Sequence, residues 1–289
     1  MSAVVVLMSL LFIGNATLRE VGIASFITSL SDKPFTWTVG IQSLPESDNS
    51  SAVIDRSYLL GTPNSVNLDE SGVHGCALFF EGIAPRLKFP GSRFESSVGT
   101  CDDALTPDCV NDLIAQARTD ARNLTTNQDE ESVICDSLQR TLHHAATDSC
   151  VPGQSLDWGT VIARQLTGPS GPVKVHRESC WPTTGNDHEL ALVQSYQQTL
   201  VAWAVEDTRP VLEAITPVMT IFYPSLNASD GLLSNVDISL TCMKTMESTR
   251  NQVTEGDKNS GGTVLVPAIY VHTFPLLLAS VLVFMRAVL

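Results

Sequence analysis

Charged side chains are scarce in this sequence, at 17% of its 289 residues against about 25% in an ordinary globular domain. Aromatic residues are scarce too, at 6%. The cationic residues run shortest: 17 Lys and Arg stand against 31 Asp and Glu, a net charge of -14. So acidic a chain offers no broad cationic surface to a phosphate backbone, which excludes nucleic acid as a partner. Its 43% of apolar residues is too many for a disordered chain. The length allows one large domain or two small ones.

The familiar catalytic patterns are missing as well. Gly168-Pro169-Ser170-Gly171 falls one residue short of the G-x-S-x-G elbow of serine hydrolases. His188-Glu189 opens an H-E-x-x-H zinc motif, but position 192 is Leu. No phosphate-cradling glycine loop occurs. His143 and His144 are neighbours on an expected helix and so point about 100° apart, poor geometry for one metal. Asp102, Asp103 and Asp108 crowd between Cys101 and Cys109, yet they lack the spacing of a calcium loop. Acids just ahead of a helix are ordinary partners of its dipole. No catalytic residue, metal ligand or cofactor is assigned on these grounds. Trp37, Trp158, Trp181 and Trp203 suit a sugar-stacking platform, but buried packing is the commoner use of tryptophan.

Both ends carry signals. Ala3–Ile13 is an apolar run broken only by Ser9. It is far shorter than the roughly 20 residues that span a bilayer, and it has the length of a signal-peptide core. Gly14 and Ala16 supply small residues for cleavage after Ala16, so residues 1–16 are expected to be a signal peptide, with no Lys or Arg ahead of its apolar run. At the other end, residues 263–289 form an apolar tail with a single charge, Arg286. Ahead of it, residues 256–262 are polar and then small. Small residues, a spacer and a terminal apolar run are the features that direct a glycolipid anchor. Asn259 or Ser260 is the expected attachment residue. The rival is a transmembrane helix over Val264–Phe284, which Pro267 and Pro275 would interrupt.

The seven cysteines are Cys76, Cys101, Cys109, Cys135, Cys150, Cys180 and Cys242. None stands in a C-x-x-C pair and no His completes a zinc set, which disfavours metal and redox sites. Behind a signal peptide, scattered cysteines are disulfide partners, and seven allow at most three internal bridges. Sequons occur at Asn15, Asn49, Asn123 and Asn227. Asn15 leaves with the signal peptide, so Asn49, Asn123 and Asn227 remain as glycan acceptors.

Between the signals, residues 17–255 are expected to form a single disulfide-bonded globular domain of the α+β class, an antiparallel sheet with a two-helix hairpin. Phe35, Trp37, Val39 and Ile41 alternate with more polar neighbours, as do Val236, Ile238, Leu240 and Cys242. That is the period of a half-buried strand. Val218–Tyr223, Cys76–Phe80, Leu190–Tyr196 and Thr160–Leu166 are further strand candidates. Thr106-Pro107-Asp108 opens a first helix with a capping hydroxyl, a proline and an acid. Its apolar face holds Val110, Leu113, Ile114, Ala117, Ala121 and Leu124. A second helix is expected after Thr126, with Asp129 as its capping acid, and carries Cys135, Leu138, Leu142 and Ala145 on one face. A bridge at Cys109 or Cys135 would staple this hairpin to the sheet. Cys150–Gly185 is rich in Pro and Gly, but its two tryptophans and two cysteines mark a long bridged loop rather than a linker.

Several short stretches carry a resemblance: Gly75-Cys76 with Leu78-Phe79-Phe80, Gly99-Thr100-Cys101 with Leu105, Cys109 and Leu113, and Cys180-Trp181-Pro182-Thr183. Ile215-Thr216-Pro217-Val218-Met219 and Leu240-Thr241-Cys242-Met243-Lys244 complete it. On these the chain resembles uncharacterised secreted proteins of filamentous fungi, many of them expected to be glycolipid-anchored. The resemblance implies a location and a disulfide-bearing fold, and supplies no catalytic residues. The expectation is an extracellular surface protein, non-enzymatic, held to the membrane by a lipid anchor or a C-terminal helix and in contact with cell-wall glycan. The alternatives are a secreted glycan-active hydrolase using a carboxylate pair, and a single-pass membrane protein.

Overall fold

The computed structural model describes residues 20–45, 51–90, 99–126, 131–144, 149–150, 158–174, 188–201, 214–225, 233 and 235–247. The expected signal peptide and apolar tail, with Asn259 and Ser260, lie outside these residues, as do Cys180, Asn49, Asn227, Trp181, Trp203 and Ala145. All described elements belong to the unit Met1–Ser248.

Among the described residues ten strands pair antiparallel: β1 (Glu20–Thr28), β2 (Ser31–Pro45), β3 (Ser51–Pro63), β4 (Val73–Phe80), β5 (Val161–Gln165), β6 (Val173–Lys174), β7 (His188–Val201), β8 (Thr216–Pro224), β9 (Asp237–Met243) and β10 (Met246–Glu247). They form two sheets, ordered β10-β1-β2-β3-β7-β6 and β5-β4-β8-β9. Among the described residues the α-helices are a single turn α1 (Cys101–Ala104), then α2 (Pro107–Thr126) and α3 (Glu131–His144).

The α+β class stands. The expected single sheet becomes two, and the reason lies in β4 and β8. A strand in a one-sided sheet alternates apolar with polar, but β4 reads Val73-His74-Gly75-Cys76-Ala77-Leu78-Phe79-Phe80 and is buried almost throughout. Cys76, Leu78 and Phe80 pack with Leu113, Ala117, Leu138 and Leu142 of α2 and α3. Val73, Ala77 and Phe79 pack with Phe35, Trp37, Tyr58 and Leu60 of the larger sheet. A strand apolar on both faces needs cover on both, so the helical hairpin lies on one face of the smaller sheet and the larger sheet on the other. Aromatic rings fill the space between the sheets: Phe35 meets Phe222 at 5.8 Å and Trp37 meets Phe79 edge-on at 5.6 Å. Trp37 Nε1 donates to Thr220 Oγ1 at 2.9 Å, satisfying the one polar atom of a buried indole.

Three disulfides tie the layers. Cys76–Cys135 joins β4 to α3, Cys101–Cys242 joins α1 to β9, and Cys109–Cys150 joins α2 to the segment beyond α3. The expected staple between hairpin and sheet is therefore the Cys76–Cys135 bond. The first helix starts as its sequence indicates, for Thr106 Oγ1 accepts from Cys109 N at 3.3 Å. The expected start of the second helix after Thr126 moves: Thr126 is the last residue of α2 and α3 opens at Glu131, while Asp129 lies outside the described residues. The Pro- and Gly-rich stretch from Cys150 contributes β5 and β6, and Trp158 within it is fully buried against Phe80 at 5.2 Å. Gly159 adopts a left-handed φ of 61°, and a Cβ there would lie 2.8 Å from the Cα of Gly82.

The two ends of the described body meet. Glu20 pairs with Glu247 and Val21 with Met246, so the chain enters and leaves at one end of the larger sheet. No helix among the described residues is long and apolar enough to cross a membrane.

Candidate functional site

Among the described residues two places that concentrate polar side chains lie at opposite ends of the larger sheet. The first is buried. Along β3 the inward positions are Ile54, Arg56, Tyr58 and Leu60, so the strand register carries a guanidinium into the space between the sheets, where it is 3% exposed. Its Nη1 donates to Thr216 Oγ1 at 3.4 Å, and Tyr58 OH donates to the same oxygen at 2.9 Å. Arg56 pairs across the ladder with Tyr196, whose ring lies 6.0 Å from the guanidinium carbon. Tyr196 OH in turn donates to Glu81 Oε2 at 2.8 Å.

Electrostatics in this cluster follow from burial. Loss of water raises the pKa of the Glu81 carboxyl, against the opposing pull of Tyr196, Arg56 and Tyr58. Burial, reinforced by Glu81, drives the Tyr58 hydroxyl far above its ordinary value. Tyr196 is raised likewise, by burial first and then by Tyr58. Burial alone would lower Arg56, but Tyr58, Tyr196 and Glu81 outweigh it and hold the pKa above the ordinary value. The charged group acting on Glu81 is thus a cation, not a second acid. This arrangement neutralises a buried charge and ties β3, β7 and β8 to the end of β4. A glycosidase needs a second carboxyl about 5–9.5 Å away, and the interactions of Glu81 run to Arg56 and two phenols instead.

The second place is a cavity of about 190 Å³. Leu60, Leu68, Leu166 and Ala191 form its apolar floor, and Thr62, Asn67, Asp69, Lys174 and Glu189 its polar rim. Lys174 Nζ and Glu189 Oε2 pair at 3.3 Å across the rim, both more than half exposed. Asp69 N donates to Asn67 Oδ1 at 3.2 Å, the Asx bond that fixes this turn. The opposite wall is the turn Gly168–Pro172, closed by Gly171 N donating to Gly168 O at 3.0 Å. Glu189 stands on the row of Phe26, Phe35 and Thr62, whereas Arg56 stands on the row of Glu20, Ile41 and Tyr196. Six residues of β1 separate the rows, about 20 Å at roughly 3.4 Å per residue.

The residues singled out from sequence distribute as follows. Six of the seven cysteines are bonded in pairs. Asn123 is exposed in the last turns of α2, and the hydroxyl of its sequon partner Thr125 donates to Ala121 O and Arg122 O. Asp103 caps α1: its Oδ2 accepts from Thr100 N at 2.8 Å and Thr100 Oγ1 at 2.9 Å, bonds that lower its pKa. His143 and His144 stand on α3 with ring centroids 4.8 Å apart. Among the described residues no three His, Cys, Asp or Glu are grouped to hold a metal. His188 Nε2 lies 2.9 Å from Pro34 O, while Glu189 turns to the cavity rim, as successive strand residues must. Trp37 and Trp158 are core residues and offer no stacking face.

Sequence reasoning passed over Arg56, Glu81 and Tyr196, and also Asp69 and Lys174. The signal for Arg56 was its phase, since it shares parity with Ile54, Tyr58 and Leu60. The cavity had no comparable signal, because its rim comes from three separate segments. Compared with protein-family models, with curated proteins and with solved structures, the chain shows no match, so its function is argued from its own geometry.

Proposed function

We propose that this chain is an extracellular surface protein without enzymatic activity, disulfide-bonded and glycosylated, and tethered through a glycolipid at Asn259 or Ser260. Its place would be the plasma membrane or wall, in contact with cell-wall glycan, as in the fungal surface proteins it resembles. The observation that carries the reading is the set of three disulfides, spanning 59, 141 and 41 residues. Such bonds form and persist in oxidising compartments. Two further features support it. Cleavage after Ala16 falls before β1 begins at Glu20, and attachment at Asn259 falls beyond β10, which ends at Glu247. Neither processing event would cut a described element.

Two measurements test the reading. Intact mass of the mature protein, with and without reduction, reports both cleavages and the bridge count. The expected result is a chain starting at Thr17, with six cysteine thiols appearing only on reduction. Treating cells with phosphatidylinositol-specific phospholipase C is expected to release it. Retention after a verified digestion would favour the spanning helix, and a mature chain running from Met1 to Leu289 would overturn the proposal.

A further inference from the structure

We infer that the cavity between the turns Asn67–Asp69 and Gly168–Pro172 is a binding site for one saccharide ring, a unit of an uncharged glycan. The inference deepens the proposed function by naming what the surface protein holds. Four properties of the cavity lead to it.

Size comes first. About 190 Å³ is below the roughly 300–1,000 Å³ of sites for drug-sized ligands, so the space admits nothing larger than a single small ring. Polarity comes next. A pyranose has an apolar C–H face and a rim of hydroxyls that both donate and accept. The cavity offers mainly polar groups to match, with carboxylate oxygens of Asp69 and Glu189 as acceptors and Lys174 Nζ as a donor, beside the smaller apolar faces of Val66 and Ala191.

Charge narrows the class. Lys174 and Glu189 neutralise each other at 3.3 Å, which leaves Asp69 as the net charge among the described rim residues, on a chain of net charge -14. An anionic ligand such as a phosphate or a uronic acid is repelled from such a site. Position is the fourth property. The cavity lies about 20 Å along the strands from the row on which Glu20 and Glu247 pair. The described residues begin at Glu20 and end at Glu247 on that far row, so neither described end lies at the cavity. The turns that frame it are set in advance by the Asx bond of Asn67 and by Pro169 and Pro172, which lowers the ordering cost of binding.

The test uses the mature protein purified from its own cell surface. D-glucose, D-mannose and N-acetyl-D-glucosamine are titrated separately to tens of millimolar, roughly the range of weak single-ring binding, and followed by saturation-transfer NMR. Spermidine and inorganic phosphate are the charged comparisons. At least one sugar is expected to bind saturably. Its affinity should fall about tenfold or more in Asp69→Asn, which alters the exposed rim, and in Ala191→Leu, which fills the floor. Thermal unfolding of both variants is measured to confirm that they fold. If none of the sugars saturates, if only spermidine or phosphate does, or if both folded variants bind sugar as the parent does, the inference is overturned. Release by the phospholipase is scored separately, so an untethered protein that still binds sugar would sink the anchoring proposal and leave the cavity assignment standing.

Discussion

Arg56 and Tyr196 stand opposite each other in the β3–β7 ladder, and the Tyr196 hydroxyl donates to Glu81, on which the guanidinium also acts. A buried cation is thus balanced by a carboxyl whose own burial raises its pKa. The folded protein therefore holds the Glu81 proton more tightly than the unfolded chain does. As pH rises from the ordinary carboxylate range towards the folded-state value, the unfolded chain ionises first, so this group's contribution to stability falls and then levels. In Glu81→Gln that fall disappears. Unfolding free energy measured by urea across acid to neutral pH is expected to show the parent losing stability relative to the variant as pH rises. The opposite slope would mean that the pull of Tyr196 and Arg56 outweighs burial.

Asp103 behaves in the opposite sense. Its carboxylate caps α1 through Thr100 N and Oγ1, which lowers its pKa. The stabilisation is complete above the ordinary aspartate value and is lost as pH falls through the folded-state value. Asp103→Asn should therefore flatten the acid limb of the stability profile and leave the limb governed by Glu81 in place. Comparing urea midpoints of parent and variant at a series of acid pH values checks it.

How far these sites could be read in advance depended on whether their residues broke a local pattern. The strands of the smaller sheet were legible because Val218–Tyr223 and Cys76–Phe80 are apolar on both faces, and α2 because Thr106-Pro107-Asp108 opens a clean apolar stripe. β1 was missed because its inward set of Gly22, Ala24 and Phe26 is weaker than its exposed pair Ile23 and Ile27. β3 was missed because Arg56 interrupts its apolar alternation. The cavity was illegible for a different reason: Asp69, Lys174 and Glu189 are ordinary surface residues until sheet register brings them together, and nothing local encodes register between distant strands.

The disulfides should resist reduction in the native state. All six bonded cysteines are buried, and exchange requires a thiolate to reach a sulfur. A small thiol reductant without denaturant is expected to leave all three bonds intact, whereas the same reductant in urea should open all three, as read by alkylation and mass. Removing one pair, Cys101→Ser with Cys242→Ser, frees the longest loop, of 141 residues. The expected loss is about 2–5 kcal/mol, measured by urea unfolding.

Trp37 tests the space between the sheets. In Trp37→Phe the ring volume shrinks and Thr220 loses the donor at 2.9 Å. A hydrogen bond contributes about 0.5–1.5 kcal/mol net, and partial loss of a buried side chain adds about 1 kcal/mol or more. The variant should fold with a stability about 2–3 kcal/mol lower, read by urea unfolding.

Gly159 tests the join between β4 and β5. Its φ of 61° lies in the left-handed region, which costs a residue with a Cβ roughly 1–2 kcal/mol. The added methyl would also meet the backbone of Gly82 at 2.8 Å, where Gly82 N donates to Thr160 O at 3.0 Å. Backbone cannot swing aside as a side chain can, so the approach that seats Trp158 on Phe80 must open. Gly159→Ala should therefore lose about 2–5 kcal/mol, the sum of strain and overpacking, and Trp158 fluorescence should move towards that of a solvated indole. A variant with unchanged stability and emission would mean that Trp158 is held by its core contacts alone, without the glycine pair.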